Sequence, residues 1–400
     1  MQDSVLFPGA NFLVPKTRPI PFYRHDLGEG ELAMVKEVLG QPILTTGEYV
    51  DRVERMLAGY LGNPHCLCVT SCTGAMHMSL LALGIGPGDE VITTPMTFIA
   101  TATSILEAGA TPVFVDVEPE SGNLDATKVE AAITPRTRAI LPVHLFGLMC
   151  DMRVLRSIAD RHGLAIVEDA AHCVEGVRDG VRPGALGDTA CFSFYATKNL
   201  TCGEGGAVVV RDAGLYEKLR LLRVHGMTKI AADRAREGYT HWNMVMMGWK
   251  YNMSNIEAAL LLPQFARLDA KLAERGALAR RYVERLAAVP GIRVPTQSTG
   301  SNDLHSHHLF PIWVGDGRRD EVVAALKQRQ VEVVVNYRAI HLLSYFRDTF
   351  GFKPGDFPIA EEIGDAAISL PFFPRMSLED VDTVVDHLHS ILDEPRRATG

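Results

Sequence analysis

Three short segments hold residue types that could bind an anion, pair with a protonated ring nitrogen and supply an amine nucleophile. The first is Ser71-Cys72-Thr73-Gly74-Ala75, where small residues between a predicted strand and a predicted helix let backbone N–H groups approach an anion. A phosphate suits that place, because a helix start carries partial positive charge. Ser71 or Thr73 could equally be an ordinary N-cap. The second is Val167-Glu168-Asp169-Ala170-Ala171-His172. A carboxylate leaving an apolar strand, as Asp169 does, holds a protonated ring nitrogen by a charge-assisted hydrogen bond. The small Ala170 and Ala171 leave room for a flat ring. The alternative is that Asp169 caps the next helix and His172 is a satisfied buried histidine. The third is Ser193-Phe194-Tyr195-Ala196-Thr197-Lys198, followed by Gly203-Glu204-Gly205-Gly206. A lysine just past an apolar strand, in a glycine-containing loop, is open to desolvation, which disfavours the ammonium and makes the amine nucleophilic. The glycines permit close backbone approach, and Ser193 is placed to hydrogen-bond a phosphate. Taken alone, Lys198 reads as a solvated loop lysine, the usual fate of that residue.

A repeating strand–helix pattern must position these segments. From about residue 65, short apolar runs (Cys66–Thr70, Glu90–Thr94, Pro112–Val117, Arg138–Val143, Leu164–Glu168, Ala190–Phe194, Ala207–Val210) alternate with helical periodicity (Thr73–Leu83, Thr97–Ala108, Asp125–Ile133, Met152–His162). Near-continuous apolar strands separated by helices indicate an α/β fold with a mostly parallel sheet covered on both faces. Ligands of such sheets gather beyond the carboxyl ends of the strands, and all three segments fall at such exits. Two helices, Gly30–Leu39 and Tyr49–Leu61, precede the sheet, and a long helix over Tyr251–Leu272, resuming through Leu286, leads out of it. Beyond that, His308–Val314 and Val331–Asn336 read as strands, and Arg319–Gln328 and Leu378–Leu392 as helices. The expected division is a large domain over 1–265, including the N-terminal segment, and a small C-terminal α/β domain over 266–400.

Composition narrows the function classes. The 400 residues are 47% hydrophobic and 22% charged, as in a folded globular protein. Lysine and arginine number 40 against 48 aspartates and glutamates, so the formal net charge is −8, without the broad basic footprint a nucleic acid requires. No stretch reaches the roughly 18–20 apolar residues of a membrane helix. Met1 to Lys16 lacks the basic start and apolar core of a signal peptide, so a cytoplasmic location is expected. Seven scattered cysteines without a Cys-x-x-Cys pair read as reduced thiols and not as a metal site.

Together the three segments supply, in order, a phosphate cradle, a ring-nitrogen carboxylate and a Schiff-base lysine. EDAAHC followed by FSFYATKNLTCGEGG resembles the DegT/DnrJ/EryC1/StrS family of pyridoxal-phosphate-dependent sugar aminotransferases of fold type I. The resemblance runs from about Pro21 to Pro374 and includes TTGEYVDRVE, TSCTGAMHMSLLALGIGPGDEVITTPMTFIATATSI, GATPVFVDVEPESGNLD, VHLFG, MGWKYNMSNIEAALLLPQ and LPFFP.

The resemblance implies pyridoxal 5'-phosphate as cofactor, with pyridoxamine phosphate as its other form. Lys198 would carry it as a Schiff base and shuttle the proton, while Asp169 would pair with the pyridine nitrogen. Cys72, Thr73 and Gly74, with the Ser193 hydroxyl, would hold the phosphate. Phe98, in PMTFIAT, would cover the ring face, and His172 would lie near the phenolic oxygen. Family active sites lie at a homodimer interface, where a loop of one subunit reaches the other's phosphate. Here that loop runs from Gly248 to Met253, with Lys250 and Asn252 where many relatives carry asparagine and arginine. Arg338 and His341 fall in a segment that resembles the one facing the sugar pocket. The implied reaction moves an amino group from L-glutamate, leaving 2-oxoglutarate, to a keto group of a nucleotide-diphospho deoxysugar, at C4 on the resemblance of GWKYNMS. Cys72 stands where glycine is frequent, and the charged stretch from Thr228 to His241 reads as a surface loop. The alternatives are a non-catalytic cofactor-binding or regulatory protein on this fold and an aminotransferase for a cyclitol or other non-sugar ketone. Lys198 argues against the dehydrating relatives, which carry histidine there, and degenerate members should lose the lysine or the aspartate.

Overall fold

The computed structural model describes residues 18–230 and 241–393, so Met1–Lys16 and most of the Thr228–His241 stretch lie outside the described residues. Among these, ten strands form two sheets. The large sheet has the order β1-β7-β6-β5-β4-β2-β3, built from β1 (His65–Val69), β2 (Glu90–Thr93), β3 (Thr111–Phe114), β4 (Thr137–Ile140), β5 (Ala165–Asp169), β6 (Thr189–Ser193) and β7 (Gly206–Val210). The parallel pattern holds except for β7, which pairs antiparallel with both β1 and β6 and so runs against the other six. The small sheet, β10-β9-β8, contains β8 (Ile292–Arg293), β9 (Phe310–Val314) and β10 (Ala367–Leu370).

Both faces of the large sheet are covered, and the strand alternation shows how. Cys66, Cys68, Phe192, Ala207 and Val209 enter one core with the helices Glu48–Leu61 and Asn255–Phe265. Their neighbours Leu67, Val69, Cys191, Val208 and Val210 enter the opposite core with helix Cys72–Ala82. This two-residue period explains why the strands read as continuous apolar runs. The seven cysteines are all buried free thiols. A separate core around Tyr282, Phe310, Ile312 and Val384 joins β9 to helices Leu268–Leu286 and Leu378–Asp393. Among the described residues no helix is long and apolar enough to cross a membrane.

Two expectations are corrected. The helix expected over Tyr251–Leu272 begins only at Asn255, because Ser254 and Glu257 form a reciprocal capping box, and it breaks at Arg267 before Leu268–Leu286. Tyr251 and Asn252 are extended instead, with the Tyr251 carbonyl accepting from Thr70 N–H at 2.8 Å. Val331–Asn336 is not a ladder strand. It makes isolated pairings, Ile20 with Val331 and Val334 with Ser369, while Ala367–Leu370 takes the place beside β9.

Candidate active site

Because β1, β2, β4, β5 and β6 point the same way, their carboxyl ends open onto one edge of the sheet. A cavity of about 560 Å³ lies there. Its walls include Ser71, Cys72 and Thr73 after β1, Thr97, Phe98 and Thr101 after β2, Asp169 and His172 after β5, and Ser193 and Lys198 after β6. His308, Asn336 and Tyr337 reach it from the smaller sheet's side, and Phe22 from the N-terminal segment.

Asp169 is buried, and its carboxylate is served by donors alone. Thr101 Oγ1 donates to Oδ2 at 2.7 Å, Ala171 N–H to Oδ1 at 3.1 Å, and the Cys72 thiol lies 3.9 Å from Oδ1. Since the Thr101 proton goes to Asp169, Thr97 Oγ1, 2.8 Å away, must donate to Thr101. Among the described residues no cation lies within ion-pair distance of this carboxylate, an arrangement that favours an incoming positive charge.

Lys198 faces the same cavity. Burial of its amine lowers its pKa from 10.5 to about 8, against the opposing pull of Asp169 and Cys72. The loop around it is fixed by Asn199, whose Nδ2 donates to both Glu175 oxygens, at 3.1 and 3.0 Å, and to the Ser306 carbonyl at 2.8 Å. Glu175 is in turn paired with buried Arg275.

His172 is held at both nitrogens. Phe146 N–H donates to Nδ1 at 3.2 Å, so the ring proton sits on Nε2, 3.3 Å from the Tyr337 hydroxyl. Burial, then the nearby Lys198, push its pKa well below the ordinary 6.5, and it stays neutral. Phe98 lies at the mouth with 55% exposure, its ring 6.1 Å from that of Tyr337.

The anion end is built on helix Cys72–Ala82. Ser71 caps it, its Oγ accepting from Gly74 N–H at 3.0 Å. That N–H is thereby engaged, and Gly74 packs against Tyr251 instead of lining the cavity, unlike Cys72 and Thr73. Ser193 Oγ, on the opposite wall, accepts from Tyr195 N–H at 3.3 Å. Gly206 explains part of the glycine run: a Cβ there would come within 2.5 Å of the Ser71 carbonyl carbon and 2.6 Å of Cys72 N. Glycine at this point lets β7 begin directly against the helix start.

Other expected residues are not brought in. Lys250 is exposed and donates to Asn252 Oδ1, while Asn252 Nδ2 donates to Thr46 Oγ1 at 2.6 Å, outside the cavity. Arg338 is exposed and does not line the cavity either. His341 departs from its expected substrate role: it is fully buried, with Nε2 3.0 Å from Glu361 and its ring packed against Phe357. Conversely, Thr101, His308 and Asn336 were not singled out. The four-residue spacing of Thr97 and Thr101 after a strand exit, and the histidine run in HSHHLF, were the available signals.

Known proteins resemble this chain over most of its length. The DegT/DnrJ/EryC1/StrS aminotransferase family matches residues 25–389. Spore coat polysaccharide biosynthesis protein SpsC of Bacillus subtilis is 39% identical over 388 residues, 96% of this chain and 98% of its own length. S. venezuelae DesV is 36% identical and superposes with a TM-score of 0.86, covering 95% of this chain and 100% of its own. The sugar aminotransferase Spr1654 from Streptococcus pneumoniae, described as putative and solved in its pyridoxal-phosphate form, is 29% identical with a TM-score of 0.88, covering 94% and 99% of the two chains; a pyridoxamine-phosphate form matches similarly. The fold is that of a pyridoxal-phosphate-dependent aminotransferase. The chain belongs to the DegT/DnrJ/EryC1/StrS aminotransferase family of sugar aminotransferases.

The residues present fit that cofactor. A buried carboxylate free of cationic partners suits a pyridinium, a desolvated lysine suits an aldehyde, and a capped helix start opposite a serine suits a phosphate. Asn336 Oδ1 and His308 Nδ1, both from cavity-lining residues, are buried polar atoms without a protein partner.

Proposed function

We propose that this enzyme moves an amino group from L-glutamate to a keto group, at C4, of a nucleotide-diphospho deoxysugar. The observation that carries the site assignment is that the Lys198 amine and the Asp169 carboxylate face one cavity. When bound, pyridoxal phosphate supplies the electron sink that stabilises negative charge at the substrate carbon. Lys198 Nζ would hold the cofactor covalently, and its lowered pKa keeps a larger share of the amine unprotonated and nucleophilic. The same Nζ, when free, would carry the proton between the reacting carbons. Asp169 would orient the ring by pairing with its nitrogen, and Thr101 Oγ1 and Ala171 N–H fix the position of that carboxylate. Thr73, Cys72 and Ser193 would bind the phosphate, Phe98 would cover the ring and His172 would lie near its phenolic oxygen, all of them lining the one cavity.

Lys250 is exposed and Asn252 half-buried beside it, and in this reading they serve the neighbouring subunit of a homodimer, with Arg338 at the sugar pocket. The large and small domains are taken as 1–265 and 266–400. The sugar substrate is supported by the family and by relatives such as the spore coat polysaccharide biosynthesis protein SpsC; C4 rests on GWKYNMS.

The test is an absorption spectrum of the purified protein before and after L-glutamate. The expected result is a visible band from lysine-bound cofactor that gives way to the pyridoxamine phosphate band and returns on adding a nucleotide-linked 4-keto sugar. No visible band after loading with pyridoxal phosphate overturns the site assignment. A band indifferent to glutamate overturns the donor.

A further inference from the structure

The VHLFG turn sits beside the cavity without contributing a side chain from Phe146 or Gly147 to it. Its backbone, however, touches both cavity histidines. Phe146 N–H donates to His172 Nδ1 at 3.2 Å, and the Phe146 carbonyl accepts from His308 N–H at 3.1 Å. The next carbonyl, of Gly147, accepts from Ser306 N–H at 2.9 Å. Gly147 has φ 111°, and a Cβ there would lie 2.9 Å from His307 N, so only glycine lets the chain entering β9 pass this close. The two imidazoles are thereby brought together, ring centroids 4.4 Å apart and planes tilted by 39°.

The consequence falls on Lys198. His308 Nε2 lies 3.3 Å from Lys198 Nζ, and His308 is 5% exposed. An ammonium has donors only, so Nε2 accepts and the ring proton sits on Nδ1, which is buried without a protein partner.

We propose that His308 is a positioning residue for Lys198: its Nε2 accepts a hydrogen bond from the free lysine amine and holds that amine in the cavity, ready to capture the cofactor and to recapture it at the end of each turnover. Burial, together with Lys198, His172 and Arg275 around it, keeps the His308 ring uncharged and therefore an acceptor. The geometry is delivered by the smaller sheet's side of the molecule, so the lysine is aimed by a segment 110 residues away in sequence. This inference rests on Lys198 as the cofactor-bearing residue.

The experiment follows capture of pyridoxal 5'-phosphate by the cofactor-free full chain, as the growth of the visible band in a stopped-flow instrument. His308→Phe keeps a flat ring against His172 but removes the acceptor, and capture is expected to slow about fivefold, the factor carried by one ordinary hydrogen bond. His308→Gln, whose Oε1 reaches the place of Nε2, is expected to restore most of the rate, which a purely packing role for His308 does not predict. His308→Ala serves as the acceptor-free variant if the phenylalanine protein does not fold. Wild-type capture by the acceptor-free variant, or a glutamine variant as slow as it, overturns the proposal. Lys198→Arg separates the two readings: a visible band in that variant refutes Lys198 itself, whereas no band there with fast capture by His308→Phe refutes only His308.

Discussion

Lys198→Met in the cofactor-free protein isolates the cost of placing an amine in the cavity. The fall in its pKa from 10.5 to about 8 corresponds to about 3 kcal/mol against the ammonium form in the folded state. Solvent reaches the partly exposed side chain, so this is an upper bound. A folded state that disfavours the cation bears the full cost below about pH 8, and the cost fades as pH rises toward the unfolded value of 10.5. Methionine has nothing to titrate and escapes it. The variant should therefore gain stability relative to the wild type at pH 7, and that gain should shrink by up to about 3 kcal/mol by pH 10.5. Urea unfolding of both proteins across this range, at one protein concentration, measures the difference directly. A gap that does not change with pH, or that widens as pH rises, refutes a desolvated lysine. The same shift has a chemical counterpart: at pH 7.5 about a quarter of the amine is neutral, against about 0.1% for an ordinary lysine.

Thr101→Val removes the hydroxyl that donates to Asp169 at 2.7 Å and should cost about 1.5–3 kcal/mol, read from the urea midpoint of the cofactor-free protein. Gly206→Ala places a Cβ against the backbone of Ser71 and Cys72 and should destabilise by about 1–3 kcal/mol while weakening cofactor affinity, measured by melting temperature and by pyridoxal phosphate titration. Phe98→Ala should do the opposite: at 55% exposure its loss leaves stability within about 0.5 kcal/mol but lowers cofactor affinity, and a large drop in melting temperature with affinity intact would assign the ring to packing.

Most of the sheet was legible because its strands are buried on both faces, and Leu67/Val69 against Cys66/Cys68 gives each face its own core. Asp169 and Lys198 were legible for a different reason. Asp169 ends an apolar strand and Lys198 closely trails one, and in a parallel sheet such exits converge. The break at Ser254 was written locally in its capping box with Glu257 but was overridden by the longer apolar period around it. Val331–Asn336 has strand-like residues but lacks a ladder partner, which is a property of what lies beside it and not of the segment.

The sequence by itself therefore determined the layered α/β frame, the order of the three chemical segments and the family, since these depend on local pattern and strand-exit position. Only the tertiary structure decided that Gly74 N–H is engaged by Ser71, that His341 is buried against Glu361, and that Thr101 and His308 meet Asp169 and Lys198. Those contacts join residues up to 110 positions apart. No local periodicity encodes such pairings, because packing between elements, and not propensity within them, selects each partner.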